Sequence, residues 1–453
     1  MKRLELALWG LSLYQLVQVF FAIGPQYSHY LVALFAGGLL VIHLWHTSTR
    51  WQIWPLWGVF AITGGISIAD VQLTGASWFM LCILCVLLSL LSLTLIMGMP
   101  LVQLPAPDGP YGVGSITHTL CDEARAIDTT STQPGRELFV KVWYPAEKKS
   151  PGTALPESLW QEFAQSADVP RLVRWLTAYL KTVRTHTRRA APFAAALKEP
   201  PLLVYHHGMI AIASENSVLM EHLASHGFII VAVRHLAQLQ ESQALQGQIP
   251  ESEQKRDQAV MKSLASQISR EEKATLSLAY YKSASATNLI VQGRAIDTAF
   301  VLDHLSEVVA AIPAAEEIAV NSDAVGLLGL SLGGAVATEF SKIDARGKAV
   351  VNMDGGLYGM HIEDPICVPY LMLYSAQNEG GNDLLLNNAS INVVEQTIPK
   401  SKHLDFHDAV MILPILRWMG MLGRVRPHEV VQAKHEAIRT HFQKLIKEPM
   451  IYD

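Results

Sequence analysis

The hydrophobic and polar positions of this chain change rhythm near residue 100. Before it, apolar residues run almost without a break, in stretches at about 4–23, 29–46, 53–70 and 77–99. Each stretch is near the roughly 20 residues that a helix needs to cross a bilayer. The pattern predicts four membrane-spanning helices in residues 1–100. Trp45, Trp51, Trp54, Trp57 and Trp78 fall near their ends, where interfacial aromatics belong. Pro55, Gly64 and Gly65 interrupt the third. A signal peptide competes for the first stretch, but no small-residue cleavage site precedes a polar start, and further apolar runs follow.

After a Pro- and Gly-rich linker (about 101–120) the rhythm becomes that of alternating strands and helices. Residues 137–145, 201–205, 228–233, 324–328, 349–353, 370–374 and 392–398 read as strands. Helices are expected at about 215–225, 284–308 and 335–342. Such alternation predicts an α/β fold with a doubly wound, mostly parallel sheet over residues 121–453. The polar stretch 238–275 reads as a surface insertion. Within 158–190, Leu172, Val173, Leu176, Tyr179, Leu180 and Val183 recur at helical spacing among Arg171, Arg174, Lys181, Arg184, Arg188 and Arg189. This predicts a helical cap with a basic face, suited to solvent or to an anionic lipid surface.

Charge sharpens the division. Residues 1–100 hold only Lys2, Arg3, Glu5, Arg50 and Asp70 as charged side chains. A buried soluble bundle is the competing reading, and four runs with so little charge argue against it. Lys2, Arg3 and Arg50 flank one side of the four expected spans, so the positive-inside rule places the C-terminal domain in the cytoplasm. The net charge of −5 argues against nucleic acid as a partner. Four cysteines are too few for a disulfide framework, and nothing in the sequence pairs Cys121 with Cys367.

The candidate chemistry centres on Gly329-Leu-Ser331-Leu-Gly333-Gly334, between an apolar strand and a helix. A Gly-x-Ser-x-Gly turn in that setting is a nucleophile elbow: the glycines Gly329, Gly333 and Gly334 allow strand and helix to approach closely. The bland alternative is a Gly-rich turn with an incidental serine. A serine needs a base, an orienting carboxylate and an oxyanion hole. Asp354 follows the 349–353 strand and is the candidate acid, with Glu363, Asp364 and Asp383 as rivals. His403, in the loop before the last structured region, is the candidate base, with His407 as its chief alternative. The turn after Val204-Tyr-His-His-Gly-Met209 supplies an oxyanion donor, the Met209 N–H, to join that of Leu332. His206 and His207 lack an Asp, Glu or Cys at ligand spacing, so no metal site is expected there.

These segments together resemble the platelet-activating factor acetylhydrolase family of the lipoprotein-associated type, and especially its bacterial members. The resemblance is carried by Pro201–Met209 with Leu223–Ile230, Gly329–Gly334, Val351–Gly356 and Lys402–Asp408, and spans roughly residues 105–420. It implies an α/β-hydrolase fold and calcium-independent hydrolysis of short or oxidised acyl groups from phospholipids, without a cofactor. It also implies Ser331 as nucleophile, Asp354 as acid, His403 as base, and Met209 and Leu332 as oxyanion donors. Leu330 and Leu332 depart from the His and the aromatic common in the family. The expectation is a membrane-anchored serine ester hydrolase acting on a lipid or small ester at the bacterial inner membrane. A peptidase or dienelactone-type hydrolase, or an inactive membrane scaffold, are the competing functions.

Overall fold

The computed structural model describes residues 2–21, 28–47, 50–68, 75–125, 135–148, 156–158, 162–163, 169–209, 212–235, 251–264 and 268–447. The chain divides into two compact units.

One unit comprises Met1–Gln103, Pro170–Val183 and Met411–Met421. Its helices are α1 (Lys2–Phe21), α2 (Ser28–Thr47), α3 (Trp54–Ile68) and α4 (Gly75–Gly98). Among the described residues, two stretches are long and apolar enough to cross a membrane, Leu4–Phe21 and Gly75–Gly98. At 15 residues α3 is short for a span, because Trp51–Ile53 form a separate 3₁₀ turn ahead of Pro55. Two charges of the region, Glu5 and Arg50, meet inside it. Arg50 grips both carboxylate oxygens of Glu5 at 2.8 Å and donates to the Met99 carbonyl at 2.6 Å. The two later segments pack onto the same helices. Trp175 stacks on Trp51 (ring centroids 5.3 Å apart), and the Trp51 indole N–H donates to the Leu176 carbonyl. Tyr179 lies under the Arg50 guanidinium and donates to the Ile412 carbonyl.

The second unit comprises Leu104–Val169, Arg184–Val410 and Leu422–Asp453. Its strands are β1 (Gly112–Asp122), β2 (Arg136–Ala146), β3 (Pro156–Ser158), β4 (Arg184–Arg189), β5 (Leu202–His206), β6 (Ile229–Arg234), β7 (Val325–Leu330), β8 (Gly347–Met353), β9 (Tyr370–Ser375) and β10 (Val393–Ile398). They form one sheet in the order β10-β9-β8-β7-β5-β6-β2-β1-β4-β3. From β10 to β6 every pairing is parallel, while β2 runs antiparallel to β6 and β1. This is an α/β-hydrolase-like fold. Strands β5, β6, β7 and β9 are buried along their whole length, and β8 everywhere except at Lys348, as expected of a parallel sheet covered on both faces. Alternate side chains fill two cores. Leu202, Val204, Leu327 and Val350 face one, and Leu203, Tyr205, Leu328 and Val351 the other. Each such aliphatic side chain contributes about 1.5–3 kcal/mol by leaving water.

Three segments differ from the sequence reading. The helical cap expected at about 158–190 is a six-residue helix (Arg171–Leu176), a 3₁₀ turn (Ala178–Thr182) and then the strand β4. The cause is local: from Thr185 to Thr187 burial alternates, with both threonines inside and His186 outside, a period of two. The linker expected over 101–120 becomes strand at Gly112, where Val113, Ile116, Thr117 and Thr119 supply β-branched residues. The polar stretch 238–275 contains helix at Glu251–Leu264, and a second helix starts at Arg270, capped by the Ser269 hydroxyl accepting from the Glu272 N–H. The rest of that stretch lies largely outside the described residues.

Candidate active site

Strand β7 ends at Leu330 and the next helix begins at Leu332, so Ser331 alone makes the turn. It has φ 57° and ψ −122°. A serine at such a φ is strained, at a cost of roughly 1–3 kcal/mol. Neighbouring backbone holds it there: the Ser331 N–H donates to the Met353 carbonyl (2.9 Å), and its carbonyl accepts from the Gly334 N–H (2.9 Å). A Cβ on Gly329 would strike the Gly333 carbonyl, and one on Gly333 would strike the His206 carbonyl. Both positions therefore require glycine.

Asp354 follows β8 and also has a positive φ, 56°. Its position ties it to the serine. Met353 on one side accepts from Ser331, and on the other a Cβ at Gly355 would strike the Ser331 carbonyl. The Asp354 carboxylate is buried and fully engaged. Oδ1 accepts from the Ser375 N–H at 2.6 Å, and Oδ2 accepts from the Asn378 amide at 2.8 Å and from His403 Nδ1 at 2.7 Å. Burial disfavours the charged His403 ring, but the hydrogen bond and charge of Asp354 outweigh it and raise the imidazole above its ordinary value of 6.5. The structure therefore brings the expected acid and base together.

The alternatives are engaged elsewhere. His407 is not bonded to Asp354. Its Nε2 lies 3.6 Å from Glu215, its Nδ1 accepts from the Ala409 N–H, and burial with the charges of Lys434 and His403 pushes it down to about 4. Asp383 pairs with Arg270, and Glu363 with Lys282. Other histidine–carboxylate pairs exist, such as His361 with Glu339 and His235 with Asp297, but they lack the backbone contacts with Ser331.

The turn after β5 carries Gly208 and Met209. The Gly208 N–H donates to Glu215 Oε1 at 2.7 Å, and the same oxygen accepts from the Tyr205 hydroxyl at 2.7 Å. Burial raises the Glu215 carboxyl to about 7, against those hydrogen bonds, which lower it. Arg294 Nη1 donates to the carbonyls of both His207 and Gly208, each at 2.9 Å. Neither Glu215 nor Arg294 was singled out from the sequence. Arg294 left a readable trace, because it continues the apolar stripe Val291, Ala295, Thr298 and Val301 of its helix. Glu215 left none.

His206 and His207 are fully buried, and burial holds both rings well below the ordinary value. Among the described residues the one cluster with metal-ligand geometry is Asp108, His222 and His226, whose candidate atoms lie within 4.8 Å of one another. It includes none of the residues assigned to chemistry. All four cysteines are free.

Known proteins share parts of this sequence and its fold. A guinea-pig (Cavia porcellus) platelet-activating factor acetylhydrolase is 28% identical over 148 residues, 31% of this chain and 30% of the relative. A putative phospholipase A2 of Schizosaccharomyces pombe is 28% identical over 145 residues, 29% of this chain and 32% of the relative. The alignments thus span about a third of each relative. Among solved structures, a ferulic acid esterase from Streptomyces cinnamoneus superposes with a TM-score of 0.53 at 21% identity, covering 76% of this chain and 92% of the esterase. The profile of the family described as platelet-activating factor acetylhydrolase, isoform II, matches residues 96–448, and the chain belongs to that family.

Proposed function

We propose that this chain is a membrane-anchored serine hydrolase that cleaves carboxylic esters, with short-chain or platelet-activating-factor-like phospholipid acyl esters as its substrate class. The observation that carries the reading is the 2.7 Å His403–Asp354 hydrogen bond beside a serine held at positive φ. In the reaction, Ser331 Oγ attacks the ester carbonyl while His403 Nε2 takes its proton. Asp354 fixes the ring through Nδ1 and stabilises the imidazolium. The N–H groups of Met209 and Leu332 receive the negative charge that develops on the carbonyl oxygen. The alcohol leaves with the proton from His403. Water, activated by the same ring, then releases the acid from the acyl-serine. No metal or cofactor is needed for these steps.

Membrane attachment rests on the helical unit. Along α4, Phe79, Met80, Ile83, Leu84, Val86, Leu87, Leu90 and Leu91 are exposed, a surface that a lipid environment would cover. We assign four spans to residues 1–100, with Lys2, Arg3 and Arg50 on the cytoplasmic side of the bacterial inner membrane and the hydrolase unit on that same side. A C-terminal reporter active only outside the cytoplasm would overturn that orientation.

The enzymatic reading is tested on purified protein with short-chain p-nitrophenyl esters and a phospholipid panel of graded sn-2 chain length, for wild type and Ser331→Ala. Turnover and fluorophosphonate labelling are expected for wild type and neither for the variant. Full activity in Ser331→Ala removes the assignment. Absence of labelling in wild type favours an inactive scaffold. Faster turnover of amides or lactones moves the substrate class to a peptidase or dienelactone-type hydrolase.

A further inference from the structure

We propose that Arg294 is a positioning residue for the oxyanion hole: by holding the Gly208 carbonyl it aims the Met209 N–H at the substrate oxygen, with Glu215 fixing the preceding peptide. The inference rests on the serine-hydrolase reading above and adds to it the residues that set the geometry of that donor.

A peptide unit is planar, with its C=O and N–H pointing in opposite directions. The Met209 N–H belongs to the same plane as the Gly208 carbonyl. Arg294 Nη1 donates to that carbonyl at 2.9 Å, so the direction of the Met209 N–H is set from behind. Among the described residues this N–H has no acceptor of its own. The plane before it is fixed at both ends: Arg294 donates to the His207 carbonyl at 2.9 Å, and Glu215 Oε1 accepts the Gly208 N–H at 2.7 Å. Two consecutive peptides of a glycine turn, otherwise free to rotate, are thus held by one buried guanidinium and one buried carboxyl group. A charged donor on the Gly208 carbonyl also polarises that peptide and strengthens its N–H as a donor.

The surroundings make the clamp rigid. Arg294 is 3% exposed and Glu215 5%. Burying such groups is costly unless each is hydrogen-bonded. One turn along the same helix, Asp297 accepts from Arg136 of β2 at 2.9 Å and pairs with His235, just after β6, at 2.8 Å. The helix bearing Arg294 is thereby tied to the sheet at β2 and just past β6, on one side of the turn. Glu215 is held by the Tyr205 hydroxyl at 2.7 Å. Both bonds come from Nη1 alone, and a lysine in place of Arg294 would keep the charge but end one bond short of that nitrogen.

The test uses the full-length protein with Arg294→Lys and Glu215→Gln. Active serines are counted by the burst of a p-nitrophenyl ester, so that kcat is expressed per functional site. Loss of one oxyanion donor costs about 10²–10³ in kcat. Arg294→Lys is expected to lose about that much with little change in KM. Its affinity for a trifluoromethyl ketone, which places an oxyanion in the hole, should fall by a similar factor. Glu215→Gln keeps an acceptor but not its charge, and is expected to lose about tenfold. A merely structural role predicts fewer titratable sites, each with wild-type kcat and inhibitor affinity, and that result overturns the proposal. If Arg294→Lys does not fold, the Glu215→Gln variant decides by the same two readouts. A wild type that neither turns over the ester nor labels with a fluorophosphonate fails the hydrolase reading itself, and the clamp falls with it.

Discussion

Each compact unit buries an arginine, and the two are satisfied in different ways. Arg50, among the apolar helices, meets a carboxylate head-on: both oxygens of Glu5, with the Met99 carbonyl as a third acceptor. Arg294, beneath the strand ends of the hydrolase unit, meets main-chain carbonyls of a turn. The first pair joins α1 to the residues just before α3, and any contact of similar shape could do as much. The second sets the direction of a peptide that faces the candidate site. The difference teaches that a buried arginine can join segments through a carboxylate or fix the direction of a peptide through its carbonyls, and on the proposed reading the second serves the reaction. Substitutions should therefore separate: stability without activity in the hydrolase unit, activity without stability among the helices.

The largest effect is expected at the serine. Ser331→Ala should reduce kcat by about 10⁶ and leave thermal unfolding nearly unchanged. Ser331→Gly sharpens the point, because it also removes the Cβ from a position at φ 57°. That variant should be equally inactive yet more stable than wild type by about 1 kcal/mol. Calorimetry and a burst assay on the same preparations check both statements. If Ser331→Gly proved less stable than Ser331→Ala, the elbow would not be storing strain.

Next is the acid. Asp354→Asn keeps the shape but changes the hydrogen bond to His403, and should lower kcat by about 10⁴. Its Ser375 and Asn378 contacts are also at risk, so loss of stability is expected as well. A variant within tenfold of wild type would hand the role of acid to another carboxylate.

Among the helices the order reverses. Arg50→Met alone strands the Glu5 carboxylate and should cost about 3–5 kcal/mol, read as a lowered unfolding temperature in detergent. Activity per titrated serine should stay at the wild-type level. The double variant Glu5→Leu, Arg50→Met replaces the pair by apolar contacts and should recover most of the loss. A double variant as unstable as the single one would mean that the pair does more than join two segments.

The same contrast explains what could be read from the sequence. The helices of residues 1–100 were legible from their apolar runs and the turn at Ser331 from its glycines; the Asp354–His403 contact was less so, because chain order left Asp354 among rivals and only the family resemblance favoured it. The parallel strands from β5 to β10 were legible as short runs separated by helices. Arg184–Arg189 was not. Its arginines fit a helical basic face, and only the pairing with β1 and β3 reveals a period of two. The roles of Arg294 and Glu215 were hidden for a different reason. A residue that acts through backbone carbonyls and amides has no sequence partner to betray it. By length and composition, Leu4–Phe21 and Gly75–Gly98 meet the requirement for a membrane span, while α3, at 15 residues, is short for one.

The smallest effect is a pH dependence, and it ties the two kinds of readout together at one residue. His403 has its pKa raised above 6.5 in the folded protein, through Asp354 and against the opposing effect of burial. As a base it must be neutral, so the acidic limb of kcat/KM should lie above 6.5 and move down in Asp354→Asn. Linkage fixes the sign for stability. A group that binds its proton more tightly when folded stabilises the fold while both states are protonated, below 6.5, and that contribution fades as pH rises through the folded pKa. Activity and this stability term should therefore change in opposite directions over the same pH window, because the Asp354 contact that stabilises the protonated ring also delays its use as a base. Replacing Asp354 by Asn should shift the activity limb to lower pH and remove the stability term together. If only the activity limb moved, the His403–Asp354 contact would belong to the catalytic cycle and not to the resting fold.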